Sequence, residues 1–294
     1  MVGTPDYYKE FRCIADKCKH NCCIGWEIDI DPETYAVYEK TEGELGRRFR
    51  ENIDHTERCF KLTPQQRCSF LNGRNLCDII IEAGERALCQ ICTDHPRFRN
   101  CVEDVEEIGL GLCCEAAVKL ILSKKDITKI PHSHCKNQEA NMLFETRKEI
   151  ISLLQNRRLP LTKRFEMIYS KFGVGLYNFD VQEIKMLLIK LERFDPEWEK
   201  YIKRMQFEGY NALDDPRWQT AFEQIAVYFV YRHFTGGYTD GKYIERLAFL
   251  AFAMFVITSM FDGESLESLE ETVRMFSVEI EYSLENFEEV LSYL

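Results

Sequence analysis

The sequence predicts a mainly α protein in which an irregular, cysteine-rich N-terminal part, able to bind a metal or cluster, packs on a C-terminal helical bundle. Three observations support this class. All 13 cysteines lie between Cys13 and Cys135 of the 294 residues. Apolar residues recur at helical spacing through the rest of the chain, and strand signals are sparse throughout. We place the boundary near residue 138, which gives a cysteine-rich domain over 1–138 and an all-helical domain over 139–294.

Helix signals in the N-terminal part are few but specific. Asp31 followed by Pro32 is typical of an N-cap with proline at the first helical position, and it predicts a helix from about Pro32 to Asn52. The run Ile79–Ile81 is either a short strand or a buried helical turn, because periodicity does not separate these two. A further helix is expected directly after Cys114.

The C-terminal part is predicted to be helix after helix. Apolar spacing, cap-and-proline pairs at Asp195-Pro196 and Asp215-Pro216, and a helix end at Gly236-Gly237 define the succession. The segment Tyr243–Phe261 is apolar nearly all round, which predicts a helix at the centre of the bundle. The remaining predicted helices cover Met142–Gln155, Leu161–Phe172, Val181–Glu192 and, whole or interrupted, Ser265–Leu294.

Charge and composition restrict the function classes. There are 38 Lys and Arg against 49 Asp and Glu, a net charge of −11. This acidic balance disfavours a nucleic-acid partner, because phosphate binding needs clustered Lys and Arg. The N-terminal residues lack an apolar signal core, and the longest apolar run is too short for a bilayer, so we expect a cytoplasmic protein with no membrane partner. Reducing conditions then favour metal binding over disulfides for closely spaced cysteines.

The cysteine spacing defines four groups of predicted metal ligands. Short Cys-to-Cys steps let two thiolates reach one ion from a single turn, and thiolates favour zinc or an iron–sulfur cluster over calcium or magnesium. The spacing alone favours structural zinc, because it follows neither the bacterial ferredoxin run nor the C-x3-C-x2-C triplet of radical S-adenosylmethionine enzymes. Cys59, Cys101 and Cys135 stand alone and are expected to pack as small apolar residues. The four groups are Cys13, Cys18, Cys22 and Cys23; Cys68 and Cys77; Cys89 and Cys92; and Cys113 with Cys114.

Five segments, in order along the chain, resemble the flagellin lysine-N-methylase family. The last of them carries the Ser-x-Glu-Ile-Glu-x-Ser-x-Glu-Asn signature that narrows the resemblance, since part of the N-terminal pattern is shared with other cysteine-cluster proteins. Leu112 and Cys114 replace a serine and a proline of the family pattern, so Cys113 is the position that matches the family cysteine. The segments are PDYYKEFRCIADKCKHNCCIGWEIDID, RCSFLNGRNLCDI, GERALCQICTDHPRF, LCCEAAVKLIL and FSVEIEYSLEN.

The resemblance implies a protein-lysine N-methyltransferase. It implies flagellin as the protein substrate, S-adenosylmethionine as the methyl donor and a [4Fe–4S] cluster held by the cysteines, and iron–sulfur is preferred to zinc on this ground alone. The implied ligands are Cys13, Cys18, Cys22, Cys23, Cys68, Cys77, Cys89, Cys92 and Cys113. The departure from the radical-enzyme triplet leaves both a radical and a polar methyl transfer open.

Catalytic residues are expected in the acidic C-terminal segment. From Asp262 to Leu294 there are ten acids and one arginine, a charge of −9 that either steers a cationic substrate or solvates the surface. Within it, Glu279, Glu281, Ser283 and Asn286 are the catalytic candidates. Glu279, Ser283 and Asn286 form one polar stripe at helical spacing, which either lines a cleft or forms a buried capping network.

Three further residues are cofactor-binding candidates. Trp26 either shields the cluster or packs in the core, and Arg97 belongs to the segment that resembles the family's Pro-Arg motif. Arg232 either binds the carboxylate of the methyl donor in a bidentate manner or pairs with one of the many acids, and we favour the pairing.

Two other functions stay open at this stage. The first is a non-enzymatic, zinc-stapled scaffold with a helical partner-binding domain. The second is a metal-trafficking protein that holds ions transiently in its thiolates. Metal content separates these possibilities from a cluster-dependent enzyme, because only the enzyme requires iron and sulfide in a fixed ratio.

Overall fold

A computed structural model describes residues 2–174, 179–206 and 211–294. It is 57% helical with few strands, which confirms the prediction of a mainly α protein. The chain divides into two compact units: residues Arg12–Arg97, here the cysteine-rich unit, and Met1–Phe11 together with Phe98–Leu294, here the larger unit. The sequence-based boundary near residue 138 follows cysteine content, whereas packing places residues 98–137 with the helices that follow them.

The cysteine-rich unit contains short elements around a small apolar core. Asp31 caps the first helix as predicted, because its Oδ1 accepts a hydrogen bond from the Thr34 amide at 2.9 Å. The single helix predicted to Asn52 is wrong: it breaks after Lys40, and Gly43 adopts a φ of +74° at the start of a second helix. The elements are α1 (Pro32–Lys40), α2 (Gly43–Asn52), the antiparallel pair β1 (Ile53–Asp54) and β2 (Cys59–Phe60), α3 (Asp78–Ala83) and α4 (Gln90–Asp94).

Stacked aromatic rings form the core of this unit. The rings of Tyr38 and Phe49 lie 4.0 Å apart at 14°, and Phe70 packs 5.1 Å from both Phe49 and Phe60. All four rings are almost fully buried. Such a core, rather than a long regular helix or sheet, gives the surrounding loops a fixed shape.

In its described residues, the larger unit is a helical assembly with one strand pair. Its bundle helices match the predicted spans within a few residues, except that Gly236-Gly237 does not end the helical path, which continues through a 3-10 turn (Phe234–Gly236) into a short helix. The elements are β3 (Arg97–Val102), β4 (Val105–Leu110), α5 (Glu115–Leu122), α6 (Gln138–Leu154), α7 (Leu161–Phe172), α8 (Val181–Lys190), α9 (Trp198–Arg204), α10 (Asn211–Asp214), α11 (Gln219–His233), α12 (Gly237–Asp240), α13 (Tyr243–Met260), α14 (Leu266–Phe276) and α15 (Leu284–Tyr293).

Helix α13 is the apolar centre of this unit. It contacts α9, α11, α14 and α15. By length and composition it is apolar enough to cross a bilayer, but 72% of it is buried inside the fold. This burial matches the prediction of a central core helix.

A π-helical segment separates α14 from α15. Ser265 begins α14 with a capping box, and after Phe276 the residues Ser277–Glu281 form a π-helix before Ser283 caps α15. The long final helix is therefore interrupted within the FSVEIEYSLEN signature. π-Helical turns are rare in proteins, and those that occur are frequently found at functional sites.

Candidate metal site and buried polar network

Six thiols of the cysteine-rich unit form one constellation, here called the six-thiol site. Cys68 and Cys89 are buried in the aromatic core, and Cys23, Cys77 and Cys92 pack against it. The thiols interact directly in two pairs, each joined by a side-chain hydrogen bond. The pairs are Cys22 with Cys23 and Cys89 with Cys92.

Backbone hydrogen bonds hold the segments that carry these thiols. The Cys68 amide donates to the Cys23 carbonyl at 2.8 Å, so the first and second cysteine groups are adjacent. The Gln90 amide donates to Oδ2 of Asp31 at 2.8 Å, which fixes the turn that follows Cys89 against the start of α1. Asp31 therefore caps α1 and positions Cys89 at the same time.

Amide groups also point at the sulfurs. Cys77 accepts from the amides of Ile79 and Ile80, and Cys68 accepts from those of Phe70 and Leu71. Amide-to-sulfur hydrogen bonds stabilise thiolates and tune the potential of metal centres held by them. These amides only partly oppose burial, which raises the pKa of Cys68 to about 11 and also raises the pKa of Cys77.

The paired thiols have opposite tendencies to ionise. Hydrogen bonds from Cys23 and His95 lower the pKa of Cys22 to about 4, whereas the bond to Cys22 and burial raise the pKa of Cys23. Likewise the bond to Cys92 lowers the pKa of Cys89, and the bond to Cys89 raises the pKa of Cys92. Within each pair, one thiol is therefore easier to ionise than the other.

Metal binding at this site stays a prediction. Among the residues that the structure describes, no group of three or more His, Cys, Asp or Glu side chains is arranged to hold a metal ion. The donor chemistry nevertheless fits a soft metal or an iron–sulfur cluster, because several thiols lie together, two of them buried, and backbone amides donate to sulfur.

The other predicted residues of this unit make local contacts. The Cys13 sulfur accepts from the Ala15 amide at 3.4 Å, and the Cys18 thiol donates to the His20 carbonyl at 3.2 Å. Trp26 is half-buried after Gly25, which adopts a φ of +77°. The guanidinium of Arg97 donates to the Thr93 carbonyl at 3.0 Å, so it fastens the end of α4.

Cys113 lies in the larger unit. It is buried just before α5, and its side chain is hydrogen-bonded to Tyr282, at the end of the C-terminal signature's π-helix. Burial raises the pKa of Cys113 to about 12, with Tyr282 and Arg232 opposing this rise. In the larger unit, Cys113 is thus a neutral thiol joined to the signature.

A buried polar network surrounds Glu281. The Arg232 Nη1 donates to the Tyr228 hydroxyl at 2.6 Å, and that hydroxyl donates to both carboxylate oxygens of Glu281 at 3.1 Å. Arg232 Nε also lies 3.4 Å from Oε1 of Glu281. The guanidinium stacks over the ring of Phe98, 5.0 Å from its centroid. Arg232 is therefore paired with an acid, which is the alternative that we favoured from the sequence.

His233 completes the network as a neutral donor. Its Nε2 lies 2.5 Å from Oε1 of Glu281, and its ring stacks 4.7 Å from Phe287. Burial lowers the pKa of His233 to about 4, although Glu281 opposes this. Burial alone would raise the pKa of Glu281, but Arg232 and the hydrogen bond from His233 bring it below its usual value. The network thus contains one positive and one negative charge.

Glu279, Ser283 and Asn286 form a second buried set on the same signature. The Glu279 carboxylate accepts from the Asp195 amide at 2.6 Å, and Asn286 donates to the Glu279 carbonyl at 2.7 Å. The Ser283 hydroxyl accepts from the Asn286 amide at 3.1 Å. The polar stripe is therefore a buried capping network in this structure, the second of the two alternatives read from the sequence.

Several of these partners have no local signal in the sequence. Tyr228, His233 and Tyr282 are not among the residues that the sequence predicts for a site, and neither is His95, which contacts Cys22. The only hint was position: His233 follows Arg232, and Tyr282 lies inside the signature. The contacts of Tyr228 and His233 with Glu281 join residues about fifty positions apart.

These features define a thiol-rich protein with a helical unit. Sequence comparison finds proteins that are similar to it. Two proteins named Lysine-N-methylase, from Salmonella typhimurium and Salmonella choleraesuis, are each 23% identical over 162 residues. The Flagellar biosynthetic protein FliU of Salmonella muenchen is 24% identical over 133 residues, 42% of this chain and 79% of FliU. The chain is thus a distant relative of these proteins.

The shared region is partial. It covers 52% of this chain and 40% of the length of the two lysine-N-methylases. No protein-family model and no solved structure matches the chain.

Proposed function

We propose that this protein is a protein-lysine N-methyltransferase that modifies ε-amino groups of flagellin, with S-adenosylmethionine as methyl donor and a [4Fe–4S] cluster at the six-thiol site. The observation that carries the proposal is the similarity to proteins named Lysine-N-methylase and FliU. The six-thiol site supports it, because a cluster of this kind needs four cysteine thiolates.

Four of the six thiols would hold the cluster. Cys68 and Cys77 are favoured as ligands, because backbone amides already point at their sulfurs. Cys89 is favoured for its lowered pKa, and the Cys22–Cys23 pair supplies the fourth thiolate. When bound, such a cluster supplies one-electron chemistry at a potential set by these hydrogen bonds and by burial.

The net reaction exchanges one bond for another. The bond between the donor's sulfonium sulfur and its methyl carbon breaks, a bond from that carbon to the lysine nitrogen forms, and sulfur leaves as a neutral thioether. The amine must be uncharged to accept the methyl group in a polar transfer, and a lysine has an ordinary pKa of about 10.4. Its proton therefore passes to a base or to water, and a desolvated site assists this loss.

The C-terminal signature is proposed to contribute through the fold of the larger unit. Glu279, Glu281, Ser283 and Asn286 each have partners inside the larger unit, so their proposed contribution is to position the helices around them. The exposed acids of α15 are proposed to attract a lysine-bearing segment of the substrate. The matching substrate is a protein surface rich in exposed lysine.

Intact-mass spectrometry of flagellin tests this proposal. Purified flagellin is incubated anaerobically with the protein and S-adenosylmethionine, and methyl increments are mapped to lysines by peptide sequencing. We expect increments with the wild type and with Cys101→Ser, whose thiol is exposed and outside the six-thiol site. Cys89→Ser should abolish them. If the mass of flagellin is unchanged after incubation with iron-loaded wild-type protein, the proposed methyltransferase activity is refuted.

A further inference from the structure

The connection between α8 and α9, residues 191–197, is fastened by the side chain of Glu279. Oε1 of this carboxylate accepts from the Asp195 amide at 2.6 Å, and Oε2 accepts from the Phe194 amide at 3.1 Å. The Glu279 side chain has no exposed surface. One buried carboxylate thus satisfies two consecutive amides just before α9 begins.

Asn286 holds the same connection two residues earlier, at Glu192. Its Oδ1 accepts from the Glu192 amide at 3.0 Å, and its Nδ2 donates to the Glu192 carbonyl at 2.8 Å. The same Nδ2 donates to the Glu279 carbonyl at 2.7 Å. Asn286 therefore joins the main chain of Glu279 to the same connection that the Glu279 side chain holds.

We propose that Glu279 and Asn286 form a pH-responsive latch, which holds the α8–α9 connection closed under mildly acidic conditions and loosens it as the pH rises toward mildly alkaline values. The proposal concerns a local conformational equilibrium of this chain. It does not depend on the proposed methyltransferase function.

The direction follows from the cost of ionising a buried carboxyl group. Burial raises the pKa of Glu279 to about 7, and the hydrogen bonds from Asp195 and Phe194 only partly oppose this. When the connection opens, water reaches the carboxyl group and its pKa returns toward the ordinary 4.5. The closed form is thus fully favoured below the ordinary pKa and loses ground as the pH rises through about 7.

The charged groups around Glu279 preserve this direction. On the connection, Asp195 disfavours ionisation of Glu279 and Arg193 favours it more weakly. On α14, Arg274 forms an ion pair with Glu271, with its Nη2 2.7 Å from Oε1 of that residue. The same Nη2 lies 3.8 Å from Oδ2 of Asp195.

The remaining neighbours on the signature leave Glu279 without a counter-ion. Ser283 and Asn286, at the start of α15, are neutral. Glu281, on the π-helix, is paired with Arg232 and His233. The balance therefore remains one of burial against backbone hydrogen bonds.

Hydrogen exchange of the full-length protein, followed by mass spectrometry, tests the latch. Amides of Phe194 and Asp195 are measured between pH 5 and pH 8 and corrected for the intrinsic rate. After this correction, we expect the equilibrium constant for opening of these two amides to increase by a factor on the order of 10 to 100 across this range. In Glu279→Gln the side chain does not titrate, so this extra increase should disappear.

Two other variants separate the latch from general instability. Asn286→Ala should raise opening at every pH while leaving the pH dependence intact. Glu288→Gln, an exposed glutamate of the same helix, should match the wild type. Equal pH dependence in wild type and Glu279→Gln would overturn the proposal.

A direct titration covers the case in which Glu279→Gln does not fold. The Glu279 carboxyl carbon of the wild type is followed by NMR, and a midpoint near 7 supports the latch. A midpoint near the ordinary value would overturn it.

Discussion

The imidazole of His233 donates from Nε2 to Oε1 of Glu281 across 2.5 Å, and both side chains are buried. This contact joins the end of α11 to the π-helical segment, residues that are 48 positions apart in sequence. Arg232 balances the charge of the carboxylate, so the network is a neutral unit. A buried pair of this kind makes the fold of the signature sensitive to pH and to the loss of any one partner.

Acidification should destabilise the protein through His233. Its pKa is lowered from 6.5 to about 4 in the folded state, so the stability it contributes is present above 6.5 and is lost as the pH falls through about 4. The free energy of unfolding should drop by up to about 3 kcal/mol over that window. Urea unfolding at pH 7 and pH 5, compared between the wild type and His233→Asn, measures this, and an identical pH dependence would show that His233 is not responsible.

Removing the charge of Glu281 should be costly. Glu281→Ala leaves Arg232 buried without its counter-ion, and the expected loss is about 3–5 kcal/mol of unfolding free energy. Glu285→Ala, on the exposed side of the same signature, is the matched control and should cost less than about 0.5 kcal/mol.

A double variant checks the cause of that loss. Replacing both partners, as in Glu281→Gln with Arg232→Met, removes the unpaired charge and should recover part of the stability. If the double variant is as unstable as the sum of the two single variants, the ion pair is not the source of the coupling.

Gly109 should tolerate no side chain. A Cβ at this position would lie 2.2 Å from the ring of Phe98, the ring that stacks on Arg232. Gly109→Ala is therefore expected to cost about 1–3 kcal/mol by overpacking. At Gly73 a Cβ meets nothing within 4 Å, so Gly73→Ala should leave the stability almost unchanged. Thermal unfolding of both variants measures the difference.

Metal removal should loosen the cysteine-rich unit selectively. If the six-thiol site holds a metal group, part of the folding free energy of Arg12–Arg97 comes from binding it. Chelation under reducing conditions should therefore increase hydrogen exchange around Phe49 and Phe70 and leave α13 unchanged. Equal exchange in the chelated and untreated proteins would show that the aromatic core alone maintains this unit.

The sequence predicted what depends on local pattern. Capping at Asp31, the span of Leu161–Phe172 and the buried α13 follow from residues close to one another in the chain. The break between α1 and α2 was missed because helical residues flank it, and only the positive φ at Gly43 marks it.

The site was predicted less completely, for a physical reason. Short cysteine spacing identified the groups that supply the six-thiol site. The partners of Glu281, however, come from α11, and nothing in the signature states which distant side chains will neutralise a buried carboxylate. The same holds for Glu279, whose partners are backbone amides that carry no sequence identity.

The measurement that tests the central claim most directly is the iron and acid-labile sulfide content of anaerobically purified protein. The account predicts about four iron and four sulfide per chain, as for one [4Fe–4S] cluster, in the wild type and in Cys101→Ser, with both lost in Cys89→Ser. Stoichiometric zinc without sulfide, or iron retained in Cys89→Ser, would contradict it.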